Sequence, residues 1–402
     1  MNLPAPLPLT EAQAKLLALA DRLPVVELPI AETLGRYLAR PLISQRTQPP
    51  SDLSAMDGYA MRSGDTSGPW KIVGESAAGH PFSGEIANGE AVRISTGALL
   101  PAKAGAILLQ EEAAREGQAL STAAGGLATA RHIRRAGFDF QEGDALLPRG
   151  ALMGAPQIAL ALSAGHMKFA VHQRPRVTII DTGDELAADA GNCAPHQIPA
   201  SNGAMIAAMI SQIADNIRHI GPVPDDLEKL ATALNHAEDA DIIVTSGGAS
   251  VGDHDLLQPA LEKAGFKLSF WRVAMKPGKP LMIARKGKQI LLGLPGNPVS
   301  SYVTAYFFLL PLLRAMAGAT SPLPQSQIMR LARNIPAGGK RLEFLRGRYV
   351  GDGVEPVDAM QDSSGLMALS QSNALIERPA LAKKAEIGEM VAVFPLNSAG
   401  MA

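Results

Sequence analysis

The chain has 402 residues, of which 47% are hydrophobic, and its formal net charge at pH 7 is −1. A chain of this length is expected to form about two to four domains, and its near-neutral charge provides no basic field for nucleic acid. The single cysteine, Cys193, excludes an intrachain disulfide and a cluster of cysteine metal ligands. We therefore expect a cytoplasmic protein without nucleic-acid partners.

The sequence also lacks the patterns of a signal peptide and of a membrane span. Its first residues, MNLPAPLPLTEAQ, have neither a basic region nor an apolar core. The most apolar segment, YVTAYFFLLPLLRAMAG, contains Pro311 and Arg314. It falls short of the ~20 uninterrupted apolar residues that a span needs. The segment predicts a buried helix, and we expect no membrane partner.

The first predicted elements are two helices. Thr10 is expected to cap a helix over EAQAKLLALADRL, and a second helix is expected over IAETLGRYLARPL. Glycine and proline then punctuate short apolar runs such as KIVG, AVRIS and GAILLQ, which is typical of a small β domain. A helix-like segment, APQIALALSAGH, follows. We predict a helical or mixed module over 1–44 plus 147–173, with a β domain inserted over 45–146.

Strand and helix patterns alternate in the next region, 174–325. RVTIID, DIIVT and KQILLGLP are predicted strands, and helices are expected after Asn202, after Asp255 and from Asn297. This alternation is typical of a doubly wound α/β domain with a parallel sheet. The remainder, 326–402, contains FLRGRYV and EMVAVFP and predicts a C-terminal β domain. The fold class is therefore multidomain α/β plus β.

The loop SGGASVGDHD follows a strand that is apolar without alternation, which predicts burial on both faces. Its glycines let the backbone approach a ligand, and its amides and hydroxyls suit an anion. Asp253 and Asp255 suit a hard cation placed between them and a phosphate. The alternative is a connection whose aspartates cap the next helix. The candidate anion-binding residues are Ser246, Gly247, Gly248, Ser250 and Gly252.

Two other loops contain charged groups. In TGDEL, Gly183 permits a turn and Glu185 places a carboxylate beyond a strand, although the acids could also cap a helix. In MKPGKP, Lys276 and Lys279 flank a rigid Pro-Gly turn, where they suit a small dianion. Exposed lysines of a turn are otherwise simply solvated.

The segment LLGLPGNPVSSY predicts a helix N-terminus. Pro295 and Gly296 form a tight turn, Asn297 is a suitable cap, and Pro298 suits the first helical position. The free amides and the positive dipole end would bind an anion, unless the segment is only a well-formed helix start. Walker A and GxGxxG patterns are absent. Since ligands of open α/β sheets bind beyond the strand ends, these loops predict one site for Mg²⁺-assisted phosphate chemistry.

Six motifs in this order resemble the molybdopterin molybdenumtransferases, the MoeA-type family related to the E domain of gephyrin: SAMDGYA, STGA, TGDEL, SGGASVGDHD, KPGKP and GLPGNP. The resemblance implies four domains, a homodimer, and a cleft between the α/β domain of one subunit and the Asp-Gly-Tyr domain of the other. It implies transfer of molybdenum from molybdate to adenylylated molybdopterin, supported by Mg²⁺, with release of AMP. Molybdopterin pathway enzymes are the implied partners.

The resemblance also implies roles for individual residues. Relatives often carry Asp or Asn where this chain has Ala200, so one polar contact differs. Glu185 and Asp255 are the implied Mg²⁺ ligands. The implied catalytic residues are Asp57, Glu185, Asp225, Asp255, Lys276 and Lys279. The implied substrate-binding residues are Thr96, Arg134, Asp139, Ser246, Gly247, Gly248, Ser250, Gly252, Arg272, Pro295, Asn297, Pro298, Arg346 and either Ser363 or Ser364.

Two other functions remain open. A molybdopterin adenylyltransferase would resemble only the central α/β domain, so MDGYA and the flanking β domains argue against it. A non-catalytic scaffold is the second alternative, and the intact acidic residues and lysines argue against it. The sequence leaves open the choice between molybdate and tungstate, the identity of the metal and the partner that receives the product.

Overall fold

The structure, a computed structural model, describes residues 5–123, 125–247, 256–357 and 361–396. It contains three six-stranded sheets in these residues, together with short two-stranded pairs and helices. The central sheet is the one flanked by helices, so the predicted class, multidomain α/β plus β, is confirmed. The predicted domain bounds stay a prediction.

The first helix spans Leu9–Leu17 and begins directly after Pro8. Thr10 therefore lies inside its first turn, and the prediction that Thr10 caps the helix is wrong. The helix packs its buried residues, among them Leu16, into the core of the central region. A strand, Val25–Pro29, follows and pairs antiparallel with Lys168–His172.

The second predicted helix is wrong, because only a 3-10 turn, Ile30–Thr33, forms there. The amides of Leu38 and Ala39 donate to the carbonyls of Ala151 and Ala170, which are more than a hundred residues away. Pairing with distant segments thus uses the donors that a helix would need, and it overrides the helical propensity of the segment. The helix predicted over APQIALALSAGH is confirmed as Ala155–Ser163.

The inserted sheet contains the strands predicted from KIVG, AVRIS and GAILLQ. Short pairs join Leu42–Ile43 to Ala145–Leu147 and Leu53–Ser54 to Ile133–Arg134, and 3-10 turns occur at Gln110–Glu112 and Ala130–His132. The spatial order of the sheet is Ala104–Leu109, Gly58–Arg62, Glu90–Ile94, Trp70–Ser76, Ala119–Thr122 and Ala113–Glu116.

The central sheet has four neighbouring parallel strands, and two antiparallel pairings complete it. Its helices are Asn202–Ile210, Leu227–Asn235 and Leu257–Lys263, and a short parallel pair joins Leu186–Ala187 to Ile198–Pro199. The spatial order of the sheet is Asp215–Val223, Arg176–Thr182, Ile242–Ser246, Gln289–Leu294, Met282–Lys286 and Lys267–Trp271.

The strand Ile242–Ser246 explains why this sheet is central. Ile242 and Val244 pack into one hydrophobic cluster, and Ile243 packs into another on the opposite face. All three side chains are fully buried, which confirms the prediction from their unbroken apolar pattern. Layers on both faces leave the ends of the strands as the open part of the sheet.

The long helix predicted from Asn297 runs as Pro298–Thr304, Ala305–Leu309 and Leu310–Met316, with a π-helical middle segment. Of the described helices, this one alone has the length and composition of a membrane span, and 89% of its apolar window is buried inside the protein. A helix buried in this way is a core helix, as the sequence predicts.

The C-terminal sheet includes the strands predicted from FLRGRYV and EMVAVFP. Met275–Lys276 leaves the central region and pairs with Leu342–Val350, so this sheet is bound to the loop that follows Lys276. A short helix, Leu366–Ser370, precedes the last strands. The spatial order is Met275–Lys276, Leu342–Val350, Gly353–Pro356, Gln327–Leu331, Met390–Pro395 and Ala374–Arg378.

Candidate functional site

A small cleft, with a volume of about 40 Å³, lies at the carboxyl ends of the parallel strands of the central sheet. The predicted site residues Glu185, Ser246 and Pro298 line it, together with Asp181 and Asn202. These residues come from different loops, and the strand order brings the loops side by side. The cleft therefore lies where ligands of open α/β sheets bind.

Close backbone contacts fix the loops around this cleft. Gly247 has a φ of +108°, and a Cβ atom there would lie 2.5 Å from the carbonyl oxygen of Thr182. The Gly247 amide donates to the carbonyl of Leu294 at 3.1 Å. Asn202 Nδ2 donates to the carbonyl oxygen of Gly296 at 2.6 Å. Glycine is thus required at position 247, because no side chain fits between the neighbouring strand ends.

Part of the predicted anion-binding loop lies outside the described residues. The predictions that fall there concern Gly248, Ser250, Gly252, Asp253 and Asp255. Their proposed roles stay predictions, and the geometry of the cleft rests on the neighbouring residues that the structure describes.

The predicted helix N-terminus forms as expected, with Pro295 buried before it and Pro298 at the first helical position. Asn297 occupies the cap position, but its side chain does not cap the helix. Instead, Asn297 Nδ2 donates to Ser363 Oγ at 3.0 Å, and the amide of Val299 donates to the Ser363 carbonyl at 3.0 Å. A loop of the C-terminal region therefore lies against the helix start.

The two candidate serines differ in position. Ser363 contacts the helix start, whereas the amide of Ser364 donates to Asp362 Oδ1 at 2.8 Å and its hydroxyl donates to the same atom. Arg346 is only 1% exposed, and its Nη1 donates to the carbonyl of Gly365 at 2.8 Å. Arg346 thus holds the serine loop through the carbonyl of Gly365. Of the two serines, Ser363 is the one that lies beside the helix start.

The lysine loop packs against the same helix. Gly278 has a φ of +99°, and a Cβ atom there would lie 2.5 Å from Thr304 Oγ1. Lys276 Nζ lies 3.2 Å from Glu343 Oε1, and its side chain is 49% exposed. Lys279 is exposed, and its backbone carbonyl accepts a hydrogen bond from the amide of Val273. The loop therefore presents two ammonium groups to solvent, and Glu343 partly neutralises one of them.

Arg272 lies just before this loop, in a left-handed backbone conformation with a φ of +87°. Its amide donates to the carbonyl of Leu281, and its carbonyl accepts from the amide of Leu7, both at 3.1 Å. The Arg272 side chain is half-buried. The structure therefore places Arg272 beside the lysine loop.

Asp57 and Thr96 form a pair on the inserted sheet. Asp57 Oδ1 accepts hydrogen bonds from the Thr96 amide at 2.6 Å and from the Thr96 hydroxyl at 2.9 Å. The hydrogen bond from the Thr96 amide is the main cause of the lowered pKa of Asp57, and the hydrogen bond from the Thr96 hydroxyl lowers this pKa further. The pair therefore holds an exposed carboxylate in its charged form.

Arg134 and Asp139 lie on the same inserted region, and both are exposed. The Arg134 guanidinium lies 6.0 Å from the centre of the Phe138 ring, and Arg134 pairs with Leu53 in a two-stranded ladder. The amide of Asp139 donates to the Gln48 carbonyl at 3.0 Å. The chain folds these two residues near one another in the inserted region, and not in the cleft of the central sheet.

Asp225 is exposed in the loop before the helix Leu227–Asn235. Its amide donates to Asp184 Oδ1 at 3.1 Å, which ties this loop to the TGDEL loop. The neighbouring Asp226 caps the helix by accepting from the amide of Lys229. The structure thus places Asp225 beside the loop that contains Glu185.

Sequence reasoning missed Asp181 as a residue of the cleft. Its side chain is fully buried, and Oδ2 lies 2.8 Å from His219 Nε2. Burial raises the pKa of Asp181, and the contacts with His219 and Ser246 oppose this shift. An acidic residue at the end of an otherwise apolar strand was the available signal, but the prediction treated it only as a strand end.

The fold and cleft define a multidomain α/β protein with a candidate ligand site at the strand ends of its central sheet. Residues 7–165 match the MoeA N-terminal region (domain I and II), 178–315 match a probable molybdopterin binding domain, and 329–396 match the MoeA C-terminal region (domain IV).

Individual relatives extend over nearly the whole chain. The molybdopterin molybdenumtransferase of Haemophilus influenzae is 32% identical over 92% of this chain and 93% of its own length. Gephyrin of Dictyostelium discoideum is 31% identical over 92% of this chain and 60% of its own length. The crystal structure of the molybdopterin biosynthesis MoeA protein from Pyrococcus horikoshii OT3 has a TM-score of 0.82 at 25% identity, and the match covers 97% of this chain and 100% of that chain.

The chain belongs to the molybdopterin molybdenumtransferase family. It is an enzyme of this type and has a role in molybdenum cofactor biosynthesis.

Proposed function

We propose that this enzyme transfers molybdenum from molybdate to adenylylated molybdopterin and releases AMP, supported by Mg²⁺. One observation carries the proposal: the lysine loop packs against the first two turns of the helix from Pro298, and the glycine loop lies beside the turn that precedes this helix. Gly278 lies against this helix, and Gly296 lies next to Gly247. A loop with two lysines and a loop with backbone amides therefore lie against the same helical segment, and we propose that phosphate and molybdate oxygens bind between them.

The lysines have different roles in this proposal. Lys279 is exposed and makes no side-chain ion pair within the part of the chain that the structure describes, so its ammonium group is available to a small dianion. Lys276 shares its charge with Glu343 and is held in place by it. We infer that Lys279 supplies most of the attraction for molybdate and that Lys276 orients the oxyanion.

The described residues are compatible with a Mg²⁺ ion but supply few ligands for it. Within the described ranges, no three His, Cys, Asp or Glu side chains gather as a metal site. Glu185 lines the cleft and offers a hard oxygen ligand, and Asp255, the second proposed ligand, lies outside the described residues. Bound Mg²⁺ would polarise the phosphoanhydride, and substrate phosphate oxygens and water would complete its coordination.

We further propose a cytoplasmic homodimer. In this arrangement, the Asp57 carboxylate, kept charged by Thr96, meets the cleft of the other subunit. Arg134 and Asp139 lie on the same inserted region and would reach that cleft from the same side. This assembly would explain why these residues lie apart from the strand ends of their own chain. Other enzymes of the molybdopterin pathway would deliver the substrate and accept the product.

The test is AMP release from adenylylated molybdopterin by the purified protein in Mg²⁺, with and without molybdate. We expect release that depends on molybdate, and Lys279→Ala should lose most of this dependence. Consumption of ATP with plain molybdopterin would instead assign the preceding adenylylation step. Inactivity in both assays would favour a scaffold role and refute the proposal.

A further inference from the structure

Three buried oxygen atoms in the cleft have no hydrogen-bond partner among the residues that the structure describes. They are Asp181 Oδ1, Thr182 Oγ1 and Asn202 Oδ1. All three residues line the same cleft at the strand ends. Buried polar atoms in folded proteins almost always have a partner, because an unpaired one loses its hydration without compensation. Three such oxygens in one cleft therefore indicate a binding site whose ligand would supply the missing hydrogen-bond partners.

The arrangement around Asp181 fixes which of its oxygens is free. His219 Nε2 contacts Oδ2 at 2.8 Å, so within the described part of the chain Oδ1 is the oxygen without a hydrogen-bond partner. The Ser246 hydroxyl and the Gly203 amide lie near the carboxyl group and favour its charged form, against the stronger effect of burial. His219 therefore positions the carboxylate of a residue that lines the cleft.

The orientation of Asn202 is also determined. Its Nδ2 donates to the Gly296 carbonyl, which identifies the other amide atom, Oδ1, as the acceptor left in the cleft. A carboxylate oxygen and an amide oxygen can only accept hydrogen bonds, while the Thr182 hydroxyl can donate or accept. The complementary ligand group is one that presents neighbouring N–H donors.

We propose that Asp181, with Asn202 and Thr182, recognises the N–H donor edge of a 2-amino-pyrimidinone ring, namely the exocyclic amino group and adjacent ring N–H of the pterin in the substrate. Asp181 Oδ1 would accept one hydrogen bond from this edge and Asn202 Oδ1 the other, while Asp181 Oδ2 keeps its contact with His219. This inference rests on the proposed function and adds a residue that determines substrate specificity. Asp181 contacts substrate in this assignment, and His219 is a positioning residue.

The decisive variant is Asp181→Asn, which keeps the size of the side chain and removes its charge. In the AMP-release assay we expect the KM for adenylylated molybdopterin to rise about 10- to 100-fold, the range for a lost hydrogen bond to a charged group, while kcat changes less than ~3-fold. The comparison variant is His219→Ala, which removes the contact behind the carboxylate and should raise KM less. An unchanged KM in Asp181→Asn refutes the inference.

A second readout separates recognition from a structural role. Free pterin and lumazine, which has an oxygen in place of the 2-amino group, are compared as inhibitors. The wild type should prefer pterin, and Asp181→Asn should lose that preference. Equal inhibition of the wild type by both compounds contradicts the proposal. A higher Mg²⁺ requirement of the variant at unchanged KM also overturns it, because Asp181 would then be a metal ligand.

Thr182→Val covers the case in which Asp181→Asn does not fold. Its hydroxyl has no partner among the described residues, so the substitution should leave the melting temperature unchanged or higher, and KM should rise about 3- to 10-fold for one neutral hydrogen bond. An unchanged KM in this folded variant counts against the inference. Failure of the proposed function is a separate result, since it appears as a wild type without molybdate-dependent AMP release.

Discussion

Replacing Gly278 with alanine is expected to displace the lysine loop from the helix that begins at Pro298. The φ of +99° disfavours any side chain, and the new Cβ would lie 2.5 Å from Thr304 Oγ1 and 3.2 Å from Met275 Cε. Real Cβ contacts essentially never fall below 3.0 Å, so the loop or the helix must move. Because Lys276 and Lys279 flank this glycine, both ammonium groups would move with it.

Gly287 is the matched control for this substitution. It also has a positive φ, +60°, but a Cβ there meets nothing within 4 Å. Gly287→Ala should therefore cost only the backbone strain, about 1 to 2 kcal/mol. Gly278→Ala adds the steric overlap, for which we expect a further 1 to 3 kcal/mol, as for overpacking in a core. The difference between the two variants isolates the packing of the loop against the helix.

Two measurements check this prediction. The first thermal transition should fall more for Gly278→Ala than for Gly287→Ala. The molybdate concentration that gives half-maximal AMP release should rise about tenfold or more for Gly278→Ala, because a displacement of about 1 Å in a binding group weakens binding and catalysis strongly, and it should stay unchanged for Gly287→Ala. If the two variants behave alike in both assays, the loop does not depend on its contact with Thr304, and the reasoning fails.

Two further predictions concern charged groups of the site. Glu343→Gln should lower the half-saturating molybdate concentration by about 2- to 5-fold, the range of a partly exposed ion pair, since the carboxylate no longer competes for Lys276; a higher concentration would show that Glu343 is needed to position the lysine. Thr96→Val should raise the lowered pKa of Asp57, so the acid limb of the pH–activity profile should move to higher pH. The direction of the shift follows because the hydrogen bonds from Thr96 stabilise the charged carboxylate of Asp57. Their contribution to stability is present at a pH above the unfolded pKa of Asp57 and is lost as the pH falls through the lowered pKa of the folded protein. Thr96→Ser keeps the hydroxyl and should leave the acid limb in place, and a shift in that control would contradict the assignment.

The central part of the site was predictable from local sequence chemistry. The unbroken apolar run before Ser246 requires burial on both faces, and strands of that kind end in loops at the edge of a parallel sheet. Asn297 and Pro298 likewise specify where a helix begins. Both predictions are confirmed, since the strand is fully buried and the helix starts at Pro298.

The second predicted helix shows where such reasoning fails. The segment after Ile30 has residues that favour a helix, but the amides of Leu38 and Ala39 bind carbonyls of a distant segment. No local pattern reveals that competition, because the partners lie more than a hundred residues further along the chain. The same limit applies to Asn297, whose side chain was expected to cap its helix and instead contacts Ser363.

Chemistry within a few neighbouring residues thus decides the strands, the tight turns and the helix start of this protein, since these depend on side-chain shape and backbone preference. Tertiary structure alone decides which groups meet: Asp57 with Thr96, Lys276 with Glu343, and the unpaired oxygen of Asp181 with the cleft. The first two contacts join residues 39 and 67 positions apart, and the position of Asp181 depends on the order of strands in a sheet. Long-range packing determines that order, and a local sequence pattern does not contain it.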